Sequence, residues 1–510
     1  MIKLEPIIGL EIHLELSTKS KLFCHCPNNV NPVKPNINIC PICLGHPGVL
    51  PVINQEAIKR TLKLGLSLNG RVSEYCWFDR KNYFYPDLPK GYQISQYSLP
   101  IINNGFLEIE VEKIDKKISL TRIHLEEDTA KLIHSDKGWS LIDFNRSGIP
   151  LLEVVTDPDM RTPLEAKIFL QELQKIARYL NISKADMEKG QMRCDVNISL
   201  RPVKNISTKK LYSKTEIKNL NSFKAVEDSL IYEIKRQSKK WQNGQSPQIQ
   251  TTRGWDENNH LTYEQRSKEE EQDYRYFPEP DLPMLRFKSK KSKVELPFDI
   301  KEIEQSLPEL PIAKRKRFTK MYGLAPSGAK ILTENQGLAD FTEKVISEVQ
   351  AWLVSLETVE GTEQEIWQKH KRQLIKVITN WLINRLLPLK KQRSKDDFPF
   401  SPENFAEFII LVYEKKISST LAQSILERMF SEGKDVDQII EDHQLTPEQD
   451  KDKIKEIVFE VIKSNPEIVE KYQQGKYVVI QFLVGQVMKK TQGQSDPGLI
   501  RTLLEKELKI

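Results

Sequence analysis

The chain has 510 residues, 39% of them apolar and 29% charged, with 77 basic and 71 acidic side chains and a net charge of +6. That is enough apolar material for about three domains, and no apolar run reaches the ~18 residues of a membrane span, so neither a signal peptide nor an anchor is expected. The small basic excess is compatible with a nucleic-acid partner without requiring one, and six cysteines in so long a chain do not suggest a disulfide framework.

The first expected element is a strand. In Ile7–Leu16 (IIGLEIHLEL), Ile8, Leu10, Ile12, Leu14 and Leu16 fall on one face, and Ile7, Gly9, Glu11, His13 and Glu15 on the other. This period of two marks a strand with one buried face. Its second face carries charged side chains about 7 Å apart along the strand. Such a face can hold a hard cation or move protons; it can equally be the solvated side of an antiparallel sheet.

Cys24-His25-Cys26 and Cys40-Pro41-Ile42-Cys43 follow. Two short cysteine pairs supply the four soft thiolates that tetrahedral zinc takes at ~2.3 Å, and a four-cysteine site is closed and structural. His25 and His46 are alternative ligands. Cys76 and Cys194 read as buried thiols. Asn54 can cap a helix through Leu66. Phe78–Gln96 (FDRKNYFYPDLPKGYQISQ) interleaves basic and aromatic residues, a texture suited to phosphates and bases and also found in packed loops.

Arg122, His124 and Glu126 share one side of a further strand, and Glu126-Glu127-Asp128, with Lys131 just beyond, gathers three acids that favour Mg²⁺ or a lysine. Thr162-Pro163-Leu164-Glu165 is a capping box opening a helix whose Ile168, Leu173, Ile176, Ala177 and Leu180 face a core. Arg193–Leu200 alternates again, setting Arg193, Asp195, Asn197 and Ser199 opposite Cys194, Val196, Ile198 and Leu200. Lys214, Glu216 and Lys218 share one side of another strand, and Ser222 can cap a helix through about Gln237. Several strands thus repeat one design, apolar on one face and charged on the other, as in a lined cleft.

From about 295 the apolar residues recur at helical spacing. The division expected is 1–294, 295–402 as a helical domain, and 403–510 as a small helical domain, with Lys390–Pro402 as a linker ending in a Ser401-Pro402-Glu403 helix start. The fold class is α+β. Basic clusters stand at 314–317 and 390–393. No GxxxxGK[ST] loop, no GxGxxG after a strand and no HExxH helix occurs, so a nucleotide would be held by strand-borne lysines and acids through a metal.

Long words of the sequence resemble the B subunit of the glutamyl/aspartyl-tRNA amidotransferase family along essentially the whole chain. They include GLEIH (Gly9–His13), CPICLGHPGVLPVIN (Cys40–Asn54), HLEED (His124–Asp128), DFNRSGIPLLEVVTDPD (Asp143–Asp159), MRCDVNISLRP (Met192–Pro202), TEIKNLNSF (Thr215–Phe223) and IQFLVGQVMKKTQGQSDP (Ile480–Pro497). The resemblance implies an antiparallel β-sheet cradle with helices, then a helical domain, then a tail domain that touches tRNA. It implies a cytoplasmic heterotrimer with an amidase partner (the A subunit) and a small C subunit, and no membrane.

The implied activity uses ATP and Mg²⁺ to phosphorylate the side-chain carboxylate of Glu misacylated on tRNA(Gln), or Asp on tRNA(Asn). Ammonia released from glutamine by the amidase then displaces the phosphate. On that reading Glu11 and Glu127 are the foremost Mg²⁺ ligands, with Glu126, Asp195 and Glu216 next. His13 holds the metal or the acyl-phosphate, and Lys81, Lys131 and Lys218 offset phosphate charge. The alternative is a non-catalytic, zinc-stabilised tRNA-binding scaffold. Two departures stand out. Thr251 occupies a place where the family usually has Glu, which puts a metal role there in doubt. Thr129-Ala130 replaces Ala-Gly, so the backbone there should not need positive φ.

Overall fold

The structure, a computed structural model, describes residues 2–29, 34–135, 138–203, 210–268, 273–287, 298–355, 362–391, 397–443, 451–491, 495 and 497–508. The chain divides into two compact units, Met1–Ile312 and Ala313–Ile510.

The N-terminal unit is built on a ten-stranded sheet. Its order is Leu261–Lys268, Gln250–Asp256, Thr215–Lys218, Met192–Pro202, Leu4–Glu15, Pro150–Thr156, Ile114–Glu127, Ile102–Asn103 and Arg71–Val72, with Phe106–Val111 paired to Ile114–Glu127. The alternating N-terminal segment is thus the central strand, with Met192–Pro202 along one edge and Pro150–Thr156 along the other. Among the described residues all its pairings are antiparallel except Thr215–Lys218 with Gln250–Asp256. That pair is parallel because the helix Phe223–Gln242 lies between the two strands in the chain, and parallel neighbours need such a crossover.

Ile8, Leu10, Ile12 and Leu14 are buried to within 1% and face three helices, Gln55–Ser67, Pro163–Tyr179 and Phe223–Gln242. Each such side chain contributes about 1.5–3 kcal/mol by leaving water, which fixes the register of the strand and so the position of every polar residue on its other face. A three-stranded sheet, Phe277–Pro278, Asp79–Asn82 and Tyr92–Ser95, stands beside the main one.

Helix ends follow the sequence with two corrections. Thr162 Oγ1 accepts from Glu165 N, but the Glu165 carboxylate reaches Arg161 N and Lys116 instead of closing the box on Thr162. Ser222 caps a helix that runs to Gln242, past the expected end near Gln237. Asn54 caps Gln55–Ser67 through its Oδ1, while its Nδ2 donates to the carbonyls of Ser20 and Lys21. One carboxamide therefore ties the helix to the chain entering the cysteine segment.

In the C-terminal unit all described elements are helices. One apolar cluster runs from Phe318 to Ile439 and another from Ile454 to Leu508. The division expected at 402 is not a break in packing: Ser401 caps Pro402–Tyr413 as expected, but Phe405 and Phe408 of that helix lie against Phe341 and Trp381. The expected boundary at 294 lies outside the described residues, and Phe298–Ile312 packs with the N-terminal unit. Residues 392–396 of the expected linker are also outside the description. No described helix is long and apolar enough to cross a membrane.

The double role of Asn54 is testable. Asn54→Asp keeps the cap acceptor but turns an oxygen toward the Ser20 and Lys21 carbonyls. It should destabilise the chain in urea unfolding by more than Asn54→Ser, which keeps the cap and loses only donors, with a difference of about 1–2 kcal/mol.

Candidate functional site

The antiparallel register assembles the polar face row by row. His13 stands opposite Glu153 on one side and Arg193 on the other, and Glu153 stands opposite His124. One row further along, Glu11 faces Asp195. Asn197, opposite Gly9, is also opposite Glu216. The contacts follow this grid. His13 Nε2 is 3.4 Å from Glu153 Oε2 and 3.6 Å from Glu126 Oε1. His124 Nε2 is 3.2 Å from Glu153 and 3.8 Å from Glu126. Ser95 donates to Glu126, Lys218 Nζ to Asp195 at 2.8 Å, and Thr252 to Glu216. Arg193 donates to Asp128 Oδ2 at 2.6 Å.

Charge on this face is balanced locally. Burial opposes a charged His124, but Glu153 and Glu126 outweigh it and raise its pKa to about 9. Burial is likewise outweighed at Glu153, which His124 holds well below the usual carboxylate range, and at Asp128, held down by Arg193. Buried ions persist only when paired in this way. A cavity of about 360 Å³ opens on the grid, lined by His13, Lys81, Glu126, Arg193, Asp195 and Lys218 among others.

His13, Glu126 and Glu153 each place one donor atom within 4.8 Å of the others, so the three can hold a metal ion. Two carboxylates suit a hard cation. Arg193 Nε is buried there with no protein partner, a donor left over for an anionic oxygen.

The expected site residues fall into groups. His13, Glu126, Lys81, Asp195 and Lys218 line one cavity, and Glu216 joins through Lys218 at 3.2 Å. Glu11 lies beside Asp195, and its carboxylate accepts from Asn197. Glu127 does not join Glu11. It is level with Leu16 across the sheet, on the opposite parity from Glu126, and its side chain is bound by Lys90 and the Ile94 N–H. A single magnesium therefore cannot take both Glu11 and Glu127; consecutive strand residues face opposite ways. Lys131 is exposed on a separate ribbon, Lys131–His134 with Ser140–Asp143, outside the cavity lining.

Sequence alone does not single out Glu153 as a site residue. A signal is present all the same: it is the one charged residue in the strand Pro150–Thr156 (PLLEVVT). Thr251 meets Thr215 Oγ1 at 3.2 Å on the face away from the Glu216 row. Thr129 and Ala130 avoid positive φ, and their carbonyls accept from Arg146. Of the basic cluster at 314–317, Lys314 and Arg317 are paired with Asp340 and Glu343.

Behind Glu127 lies the cysteine cluster. The thiols of Cys24, Cys26, Cys40 and Cys43 converge within 4.8 Å and can bind a metal such as zinc. His25 and His46 are exposed and stand outside that group. Lys21 is fully buried, with Nζ 3.7 Å from Cys43 Sγ and 3.3 Å from the Phe144 carbonyl. Its charge offsets thiolate charge in a place water does not reach. Cys76 and Cys194 are buried elsewhere.

Residues 6–293 match the family model described as the GatB/GatE catalytic domain, and residues 364–508 match that of the GatB domain. The class is that of tRNA amidotransferase subunits. The chain is 44% identical to the aspartyl/glutamyl-tRNA(Asn/Gln) amidotransferase B subunit of Carboxydothermus hydrogenoformans, over 99% of this chain and 98% of the relative. It is 43% identical to that of Caldanaerobacter subterraneus subsp. tengcongensis, over 99% of each, and 41% identical to that of Thermotoga maritima, over 99% and 98%. The chain belongs to the family of aspartyl/glutamyl-tRNA(Asn/Gln) amidotransferase B subunits.

Glu153 should govern the charge of its neighbour. In metal-free protein, Glu153→Gln removes the nearer carboxylate from His124 while burial remains, so the imidazole pKa read by NMR titration should fall from about 9 toward or below its ordinary value. An unchanged titration would show that Glu126 alone holds the charge.

Proposed function

We propose that this chain is the component that activates the side-chain carboxylate of misacylated Glu-tRNA(Gln) or Asp-tRNA(Asn) with ATP and Mg²⁺. It then amidates that group with ammonia delivered by an amidase partner (the A subunit), in a cytoplasmic heterotrimer completed by a small C subunit. The observation that carries the reading is the convergence of His13, Glu126 and Glu153 beside a cavity lined by Lys81, Arg193 and Lys218.

A carboxylate is a poor electrophile toward ammonia, so the oxygen must first become a leaving group. The carboxylate oxygen attacks the γ-phosphorus of ATP and ADP departs; ammonia then attacks the acyl carbon and inorganic phosphate leaves. Mg²⁺, when bound, neutralises phosphate charge in the first step. Glu126 and Glu153 are the oxygen donors suited to hold it, with His13 completing the set. Lys81, Lys218 and Arg193 present cations to the equatorial oxygens, the electrostatic part of phosphoryl transfer. Lys81 is steered by Tyr274, whose ring centre is 4.8 Å from its ammonium. Asp195 and Glu216 hold Lys218 in place. Glu127, bound to Lys90 on the other face, is removed from this set, and Glu11 is assigned to the neighbouring row.

Glu126→Gln and Glu153→Gln in the assembled complex should each lower ATP- and tRNA-dependent amidation by about 100-fold or more, while glutaminase activity of the partner survives. Release of labelled phosphate from ATP with misacylated tRNA should fall in parallel. A complex that amidates without consuming ATP, or mutants with full activity, would leave only the scaffold reading.

The cysteine cluster is read as a structural zinc site. Elemental analysis should return about one zinc per chain. Lys21→Met, which removes the buried counter-charge, should release the metal to a chelator faster than wild type, by about 10-fold. Zinc-free chain with wild-type stability and all thiols reactive would refute the assignment.

A further inference from the structure

The small three-stranded sheet turns one face toward His13, Glu126 and Glu153. Its register sets Lys81 opposite Gln93 and Asp79 opposite Ser95, so these four share that face. Ser95 donates to Glu126, and Lys81 and Gln93 line the cavity beside His13. The face continues in tyrosines. The Lys81 ammonium is 4.8 Å from the ring centre of Tyr274 and 5.8 Å from that of Tyr83. Tyr274 meets Tyr83 edge-on at 5.9 Å and Tyr276 at 6.0 Å, and Tyr276 stacks on Tyr97 at 4.3 Å between ring centres. Tyr97 is exposed, and the other three are half-buried.

This group of rings stands against the acidic triad. Burial, then the charges of Glu126 and Glu153, push the Tyr276 phenol above its ordinary pKa. Burial, then Glu126, do the same at Tyr83. Metal and phosphate chemistry calls for carboxylates and cations; it gives no reason for four linked aromatic rings, which bring apolar area to a charged site. On the reverse face of the sheet a clamp holds them. Arg80 Nε and Nη2 donate to the buried Glu279 carboxylate at 2.6 and 2.8 Å, and the guanidinium lies 4.3 Å from the Tyr92 ring centre. Bidentate pairs fix geometry as well as charge. With Phe277 opposite Arg80, and Asn82 N donating to the Tyr274 carbonyl, the segment bearing Tyr274 and Tyr276 is pinned to the strand Asp79–Asn82.

An acyl-phosphate is open to two nucleophiles. Ammonia forms a C–N bond, the C–O bond to phosphate breaks, and the proton that nitrogen sheds leaves with the phosphate. Water forms a C–O bond instead, returns the carboxylate and consumes an ATP for nothing. We propose that the tyrosine group keeps bulk water from the acyl carbon, so that ammonia takes the intermediate, with Arg80 and Glu279 as positioning residues that hold the group in place. The proposal rests on the ATP-dependent reading above. Exclusion of water is how closed sites protect reactive intermediates from hydrolysis. The rings need not tell ammonia from water by size, because ammonia arrives by delivery from the partner and water arrives from solvent.

The readout is a ratio: labelled phosphate released per amide formed on misacylated tRNA, by the assembled complex with glutamine present. Wild type should stay near one. Tyr276→Ala should raise the ratio by about threefold or more, and Tyr274→Ala and Glu279→Gln should raise it by less. Tyr276→Phe, which keeps the ring, should restore the wild-type ratio. Added ammonium chloride should lower the ratio in Tyr276→Ala, because the two nucleophiles compete for one intermediate; a folding defect gives no such response. A ratio near one in both alanine variants, with thermal melts showing folded chains, would overturn the proposal. So would a ratio in Tyr276→Phe as high as in Tyr276→Ala, which would give the role to the hydroxyl, or excess phosphate release indifferent to ammonium. Failure of the kinase reading looks different: the wild-type complex itself would then release no phosphate.

Discussion

The central strand Leu4–Glu15 is hydrogen-bonded along both edges, and from Leu10 to Glu15 its side chains alternate between an oily side and a charged one. The oily side anchors it: Ile8, Leu10, Ile12 and Leu14 are sealed beneath three helices. Slipping the strand by one residue would turn those four side chains to the polar face and drive Glu11, His13 and Glu15 into the apolar core. The apolar part of that exchange alone, about 6–12 kcal/mol for four side chains, is comparable to the net stability of a domain. Every distance on the polar face depends on this constraint. His13 meets Glu153 and Arg193 because a register set by hydrophobic burial leaves it nowhere else to be.

Density of charge is the second condition. The face sets Glu153 beside two imidazoles, Asp128 beside a guanidinium and Asp195 beside an ammonium. Pairing of this kind adds little to net stability. What it does is hold charged groups at fixed spacing along a partly dehydrated cavity. The three helices, the crossover helix Phe223–Gln242 among them, turn their apolar faces to the other side of the sheet.

Much of this is legible in the sequence. Period-two alternation locates the strands and the polar face, and the two cysteine pairs locate the thiol cluster. What alternation cannot supply is which strands are neighbours. The family resemblance pairs Glu127 with Glu11, yet strand geometry turns Glu126 and Glu127 to opposite sides. Glu153 escapes notice for the converse reason: a lone acid in PLLEVVT looks incidental until pairing sets it between His13 and His124. At the C-terminal end, helical periodicity finds the helices, but a proline-rich stretch near 402 suggests a division that the packing of Phe405 and Phe408 does not respect.

Glu126 and Glu127 share a single peptide unit at the end of the Ile114–Glu127 strand, one carboxylate opening to the polar cavity and the other clamped by Lys90 beside the thiols. The strand end that turns Glu126 to the cavity therefore also sets Glu127 against Lys90 and the Ile94 N–H, so one stretch of backbone fixes the direction of both carboxylates at once.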